Sequence, residues 1–194
     1  MEIILRKAPD TMNEDNDISL LLAKLHELHG MNFIKQLKRI IECNEFTPLD
    51  TGPQIFIMGG EESEDYSSLL AAARKAVEHG NTVYILPNPK GTRTADFIFE
   101  RKGILKLYDL KTIHGKSSAG NRLLESIGQS NRVLLNMNTD YNARLLASDI
   151  KSYFASNKQA IEVLIYKGKK SISVTRNLID NTKFYRQFRK NYEK

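Results

Sequence analysis

Two alternating apolar segments, Thr94 to Arg101 and Ile104 to Ile113, are separated by nothing but Lys102-Gly103. A two-residue connection containing glycine leaves two strands little choice but an antiparallel hairpin. The first strand alternates around Phe97 and Phe99, and the second carries Leu105, Leu107, Asp109 and Lys111 at every other position. Side chains alternate between the faces of a strand, so Asp109 and Lys111 project to one side. Leu110 points the other way, yet offers its backbone carbonyl at the same edge. Asp96 opens the partner strand, spaced to converge on both. A carboxylate where leucine or valine would suit the core better needs a partner, because a buried unpaired charge is costly.

The rest of the chain alternates helices and strands around this hairpin. Ile55 to Met58 is a short buried strand ahead of Gly59-Gly60. Residues 63–79 form a helix, and the acidic run Glu61 to Asp65 suits its N-terminus, where negative charge meets the macrodipole. Gly80 closes that helix, and Thr82 to Leu86 is a strand ended by Pro87-Asn88-Pro89. After the hairpin come a loop from Gly115 to Gly120, a helix from Asn121 to Gln129, a strand from Arg132 to Met137 and a helix near 142–156. Ile161 to Tyr166 and Ser171 to Arg176 are strands around Lys167-Gly168-Lys169, and Lys183 to Tyr192 is a basic helix with interleaved aromatics. Near the N-terminus, leucines from Leu20 to Leu28 and apolar residues from Phe33 to Ile41 recur at helical spacing on either side of Gly30, which predicts an αα-hairpin. Pro48, Asp50, Gly52 and Pro53 break both helix and strand between Glu45 and Gln54. The expected organisation is an N-terminal helical lobe over 1–50 and an α/β domain over 51–194.

Charge narrows the partners. Residues 1–150 hold 18 Lys and Arg against 20 Asp and Glu, whereas residues 151–194 hold 11 against 3. The basicity belongs to the C-terminal segment, whose natural partners are polyanions. Lys183, Arg186, Arg189 and Lys190 suit phosphates, while Phe184, Tyr185, Phe188 and Tyr192 either stack on bases or pack on the sheet. The single Cys43 excludes an internal disulfide and reads as a buried thiol. No apolar run reaches the roughly 20 residues of a membrane span, and Met1 to Arg6 lacks a signal-peptide pattern, so a cytoplasmic protein with no membrane partner is expected.

Asp96, Asp109 and Lys111 together suit phosphodiester hydrolysis. That reaction needs charge neutralised at the phosphate and a water made nucleophilic near neutral pH, and Mg²⁺ or Mn²⁺ held by hard oxygens does both. Asp96 and Asp109 supply two such ligands and the Leu110 carbonyl a third, while Lys111 orients or deprotonates the water and offsets developing charge. An acid-x-Lys triplet also arises by chance, as solvated acids beside a lysine. Asp65 at a helix start is either a further ligand or a favourable dipole partner. His114 either contacts phosphate or faces water. Lys116, Ser118, Asn121 and Arg122 form a polar loop and helix start suited to phosphate.

Read in order, Gly80, Leu86-Pro87, Thr94-Ala95-Asp96, Asp109-Leu110-Lys111-Thr112, the polar loop Gly115 to Asn121, Gln129 and Val133-Leu134-Leu135 form a pattern more specific than any triplet. From Asp65 to Met137 the chain resembles the PD-(D/E)xK nuclease superfamily. More narrowly, it is similar to the C-terminal tRNA-nuclease domains of contact-dependent growth-inhibition toxins and related mobile-element proteins. Ala95 stands where the pattern has proline, and Asp109 where glutamate is more usual. The first 50 residues fall outside the match. The resemblance implies a PD-(D/E)xK nuclease-like mixed β-sheet flanked by helices, Mg²⁺ or Mn²⁺ dependence and cleavage of RNA, tRNA above all, with an inhibitor or immunity protein as a further partner. It also implies that Thr112 accompanies the metal site and that Gln129 contacts the phosphate or the water, although Gln129 reads equally well as a helix-end residue.

Other readings stay open. A DNA nuclease of the same fold shares the metal chemistry. Ile55-Phe56-Ile57-Met58-Gly59-Gly60 suits a non-catalytic nucleotide-binding module, though no G-x-G-x-x-G follows. A nuclease-like fold kept for protein binding is the fourth reading, and the oligomeric state is not legible.

Overall fold

The strand-forming segments cross a single mixed sheet in chain order: β1 (Phe46–Leu49), β2 (Gly52–Met58), β3 (Thr82–Ile85), β4 (Phe97–Arg101), β5 (Ile104–Ile113), β6 (Arg132–Met137), β7 (Glu162–Lys167) and β8 (Lys170–Thr175). Helices α1 (Ile18–Ala23), α2 (Gly30–Glu42), α3 (Tyr66–Glu78), α4 (Ala119–Glu125), α5 (Ala143–Ser156), α6 (Arg176–Ile179) and α7 (Phe184–Glu193) flank it. The computed structural model describes residues 18–43, 45–58, 65–87, 94–116 and 118–193. The α/β class with a helix-flanked mixed sheet is thus borne out.

Lys102 and Gly103 both take positive φ, 52° and 76°, the left-handed pair that closes a two-residue turn between β4 and β5. β2–β3, β5–β6 and β6–β7 are parallel, joined by crossovers through α3, α4 and α5, and the other neighbours are antiparallel. The α3 crossover and the α4 and α5 crossovers advance in the same direction across the sheet but place their helices on opposite faces. They therefore have opposite hands, and one departs from the usual right-handed rule.

This arrangement divides one face of the sheet. Leu21, Leu37 and Ile40 of the N-terminal helices pack on Tyr84, Ile98 and Leu107. Farther along the same face, α4, α5 and α7 pack on Ile113, Val133 and Val163. β5 contributes to both clusters, Leu105 and Leu107 to the first and Ile113 to the second. Between them on that face stand Asp109 and Lys111. On the reverse face α3 covers Val83, Phe97, Phe99 and Tyr108 with its alanines.

Several expectations need correction. The segment Glu45 to Gln54 contains β1 and the start of β2; Pro48 is tolerated because β1 is an edge strand. The N-terminal helices lie directly on the sheet and share a hydrophobic cluster with it. Strand β4 starts at Phe97 rather than Thr94, and α4 starts at Ala119 and ends at Glu125, short of Gln129. Gly120 lies inside α4 because α5 approaches closely: a Cβ there would be 3.1 Å from Asp149 Oδ1. Cys43 is half-buried, its thiol donating to the Ile40 carbonyl at 2.9 Å. Among the described residues no helix is long and apolar enough to cross a membrane. Met1 to Arg6, Gly59-Gly60 and residues 61–64 of the acidic run lie outside the described residues.

Candidate active site

Period-two alternation puts Asp109 and Lys111 on the β5 face that carries Leu105 and Leu107. Asp109 is 1% exposed. The Lys111 ammonium donates to its Oδ1 at 3.2 Å and lies 3.0 Å from Oδ2. Oδ2 is fully buried and meets the ammonium as an ion pair without a hydrogen bond. Asp96 comes from the other limb of the hairpin. Its backbone N–H donates to the Tyr108 carbonyl at 3.0 Å, and its Oδ2 accepts the Leu110 N–H at 2.6 Å. Asp96 therefore grips β5 on both sides of Asp109, and the two carboxyl groups approach closely enough to share a hydrogen bond. In an extended strand a residue's N–H and C=O point to one edge, so the Leu110 carbonyl also lies on the Asp96 side.

Burial raises both carboxyls above their ordinary range. For Asp109, burial comes first and the Asp96 charge second; they outweigh the Lys111 ammonium and push the group up to about 7. For Asp96, burial again dominates and is opposed by the Leu110 N–H and by Lys111, while Asp65 adds a smaller upward push. Like charges this close resist joint ionisation, so near neutral pH the pair keeps a proton unless a cation takes its place.

A divalent cation fits these residues. A buried carboxylate oxygen without a hydrogen bond, a second carboxylate beside it and a backbone carbonyl at the same edge are hard oxygen donors. Mg²⁺ is held by one or two carboxylates with water completing its shell, so no larger protein cage is required. Among the described residues no group of three or more His, Cys, Asp or Glu side chains is gathered, and exposed Asp65 influences Asp96 without joining such a group.

The other candidates fall around this pair unevenly. Thr112 faces the opposite side of the sheet, paired in register with Asn136, whose Oδ1 accepts from Lys75 at 2.6 Å. It therefore does not accompany the carboxylates. Gln129 lies in the turn after α4 and donates to the Glu125 carbonyl at 2.9 Å, closing the helix end. His114, Lys116, Asn121 and Arg122 are exposed on the segment that leaves β5, with Arg122 paired to Glu125 at 2.9 Å. Ser118 donates to the Gly115 carbonyl at 3.4 Å. Lys183, Arg186, Arg189 and Lys190 are exposed on or beside α7, whose Phe184, Phe188 and Tyr192 are buried against the sheet. These three aromatics pack rather than wait for bases; only Tyr185, 41% exposed, is available. β8 lies three strand spacings from β5, about 14 Å, so the basic helix belongs to the flank of the site.

Residue patterns did not single out Tyr153. It is buried, accepts from Asn157 Nδ2 at 3.2 Å and senses the Asp109 charge from the helical side. A tyrosine on an apolar helix face carries no sequence signal that separates this position from ordinary core.

Neither the family models, nor the curated proteins, nor the solved structures compared with this chain match it.

Proposed function

We propose that this chain is a metal-dependent endonuclease of PD-(D/E)xK type that hydrolyses phosphodiester bonds in RNA, tRNA foremost, in a toxin-like or mobile-element setting. The observation that carries the reading is the meeting of Asp96, Asp109 and Lys111 between two helical clusters, where two carboxyls crowd closely enough to share a hydrogen bond beside one ammonium.

Asp96, Asp109 and the Leu110 carbonyl would hold Mg²⁺ or Mn²⁺. When bound, such an ion supplies charge neutralisation at the phosphate and activation of a water. The Leu110 N–H fixes Asp96 through one oxygen and leaves the other for a ligand. Lys111 is held in place by Asp109, and its side chain, 14% exposed, reaches the rim where a water or a phosphate oxygen would stand. There it orients the water and stabilises negative charge as it develops, with its position set in advance. Exposed Lys116 and Arg122, on the segment that leaves β5, and the cations of α7 would hold the polymer through its phosphates. The preference for RNA over DNA rests on the resemblance to tRNA-nuclease domains.

Incubating the protein with tRNA and with single- and double-stranded DNA, each with Mg²⁺, Mn²⁺ or EDTA, tests this. Cleavage is expected with either ion, tRNA before DNA, and is expected to vanish with EDTA, Asp109→Asn or Lys111→Ala. If neither polymer is cut with either ion while the folded protein still binds it, the catalytic reading is wrong and the chain is a binding module.

A further inference from the structure

The two edges of the sheet are built differently. β1 has four residues, contains Pro48 and breaks register between Pro48 and Leu49, features that discourage a further strand. β8 has none of them. Its six residues pair with β7 without a break, from Glu162↔Thr175 to Lys167↔Lys170, and include no proline. No described residue makes a backbone hydrogen bond to its outer edge. Alongside runs an open groove of about 480 Å³ lined by Lys170, Ser171, Ile172, Ser173, Lys190 and Asn191, with β8 as one wall and α7 as the other. Its rim is basic. Lys169 and Lys190 are exposed and make no ion pair with a described residue, whereas Lys170 is engaged by the Tyr192 carbonyl at 3.1 Å.

We propose that β8 accepts an extended acidic segment of a partner protein as a ninth strand, docked in the groove against α7. An exposed strand edge offers alternating N–H and C=O groups, and a peptide backbone is the partner that satisfies both. A nucleic-acid strand would meet the lysines, but its phosphates only accept hydrogen bonds and cannot pair with the edge carbonyls, whereas a peptide repeats donor and acceptor along its length. A second copy of the chain meets like charge: centred antiparallel pairing of β8 with itself sets Lys169 against Arg176 and Lys170 against Thr175. Carboxylates on the incoming strand face Lys169 and Lys190 instead, which favours the right partner and speeds encounter. Six residues in a strand span roughly 20 Å, enough for a short linear segment. The proposal does not rest on the carboxylate pair, which lies on other strands, and it shares only Lys190 with the proposed phosphate contacts.

The probe is a fluorescent peptide of alternating glutamate and valine, titrated into the full chain with EDTA present and read by anisotropy. Saturable binding is expected, with slowed exchange of β8 amides. Binding is expected to weaken about tenfold or more for Lys169→Glu combined with Lys190→Glu, as for loss of close charge pairs. The same peptide N-methylated at alternate residues, which keeps its charge but blocks one edge, is expected not to bind. Equal binding of the N-methylated peptide, full displacement by a single-stranded oligonucleotide, absence of any binding, or self-association of the protein through β8 would each overturn the proposal.

Discussion

Asp109→Asn keeps the side-chain volume and removes the charge, so it reports what that charge does to the fold. Burial and Asp96 raise the Asp109 carboxyl from 3.8 to about 7. At about 1.36 kcal/mol per unit, ionised Asp109 weakens the fold by on the order of 4 kcal/mol relative to acid conditions, the attraction to Lys111 already included. The folded chain holds this proton more tightly than the unfolded chain does. The stabilisation is therefore complete below the unfolded value and is lost as pH rises through the folded one. Asparagine has nothing to lose over that window. Variant and wild type should match near the acid end, and the variant should become the more stable by up to that amount at about pH 8, roughly 10 °C in Tm for a chain of this length. Urea unfolding in EDTA, followed by circular dichroism across this range, measures the difference. Added Mg²⁺ or Mn²⁺ at the alkaline end should stabilise the wild type and leave the variant unchanged. A variant that loses about 3–5 kcal/mol at the alkaline end, as a broken buried ion pair would, refutes the reasoning. So does a difference that is the same at every pH.

Glu162 should show the opposite sign. Burial pushes its carboxyl up, but hydrogen bonds from Ser173, Lys106 and Tyr108 prevail and hold it below the ordinary value, so its contribution is present above the unfolded value and lost as pH falls through the folded one. Glu162→Gln should cost about 2–3 kcal/mol in urea unfolding at neutral pH and flatten the acid limb; an unchanged acid limb would contradict this. Gly120→Ala should destabilise by about 1 kcal/mol despite the better helix propensity, because Asp149 is held by the Tyr141 hydroxyl at 2.9 Å and cannot yield to the new Cβ. Tyr141→Phe should shrink that penalty in a double-mutant cycle, and independence of the two changes would count against the clash. Lys183→Ala and Arg186→Ala should each lower the salt dependence of nucleic-acid binding by about 0.7–0.9 in slope, with unfolding unaltered, whereas Phe188→Ala should cost about 3–5 kcal/mol.

The hairpin was legible because its signals are local: two alternating runs and a glycine turn specify partner, register and face together. The same alternation correctly put Asp109 and Lys111 on one side. Followed strictly, it also puts Thr112 on the other side, where the structure has it, whereas the motif's linear order groups Thr112 with the site. What escaped depends on distant neighbours. Gly115 to Gly120 reads as loop until α5 is known to press on Gly120. Pro48 forbids a central strand, yet nothing local announces an edge. Glu162 sits in a plain apolar run, and three of its partners, Lys106, Tyr108 and Arg132, lie on strands far away in sequence. The helix after β5 ends short because the chain turns at Ser126 to Gln129, so Gln129 closes a helix end instead of projecting from a helix face.

The two carboxylates of the site differ in what else they do. Asp96 accepts the Leu110 N–H through its side chain, where a neighbouring strand would offer a backbone carbonyl. Its oxygen is a rung of the sheet as well as a candidate ligand. Asp109 has no such second employment, and its charge works against the fold. In a lineage where the proposed chemistry was not under selection, Asp109 should be the first of the pair to drift, toward asparagine or an apolar residue. Asp96 would be retained longer, held by the strand it helps to pair. On the proposed function, a copy of this protein with Asp96 in place and Asp109 gone would be the relic of an abandoned active site, legible from that asymmetry alone.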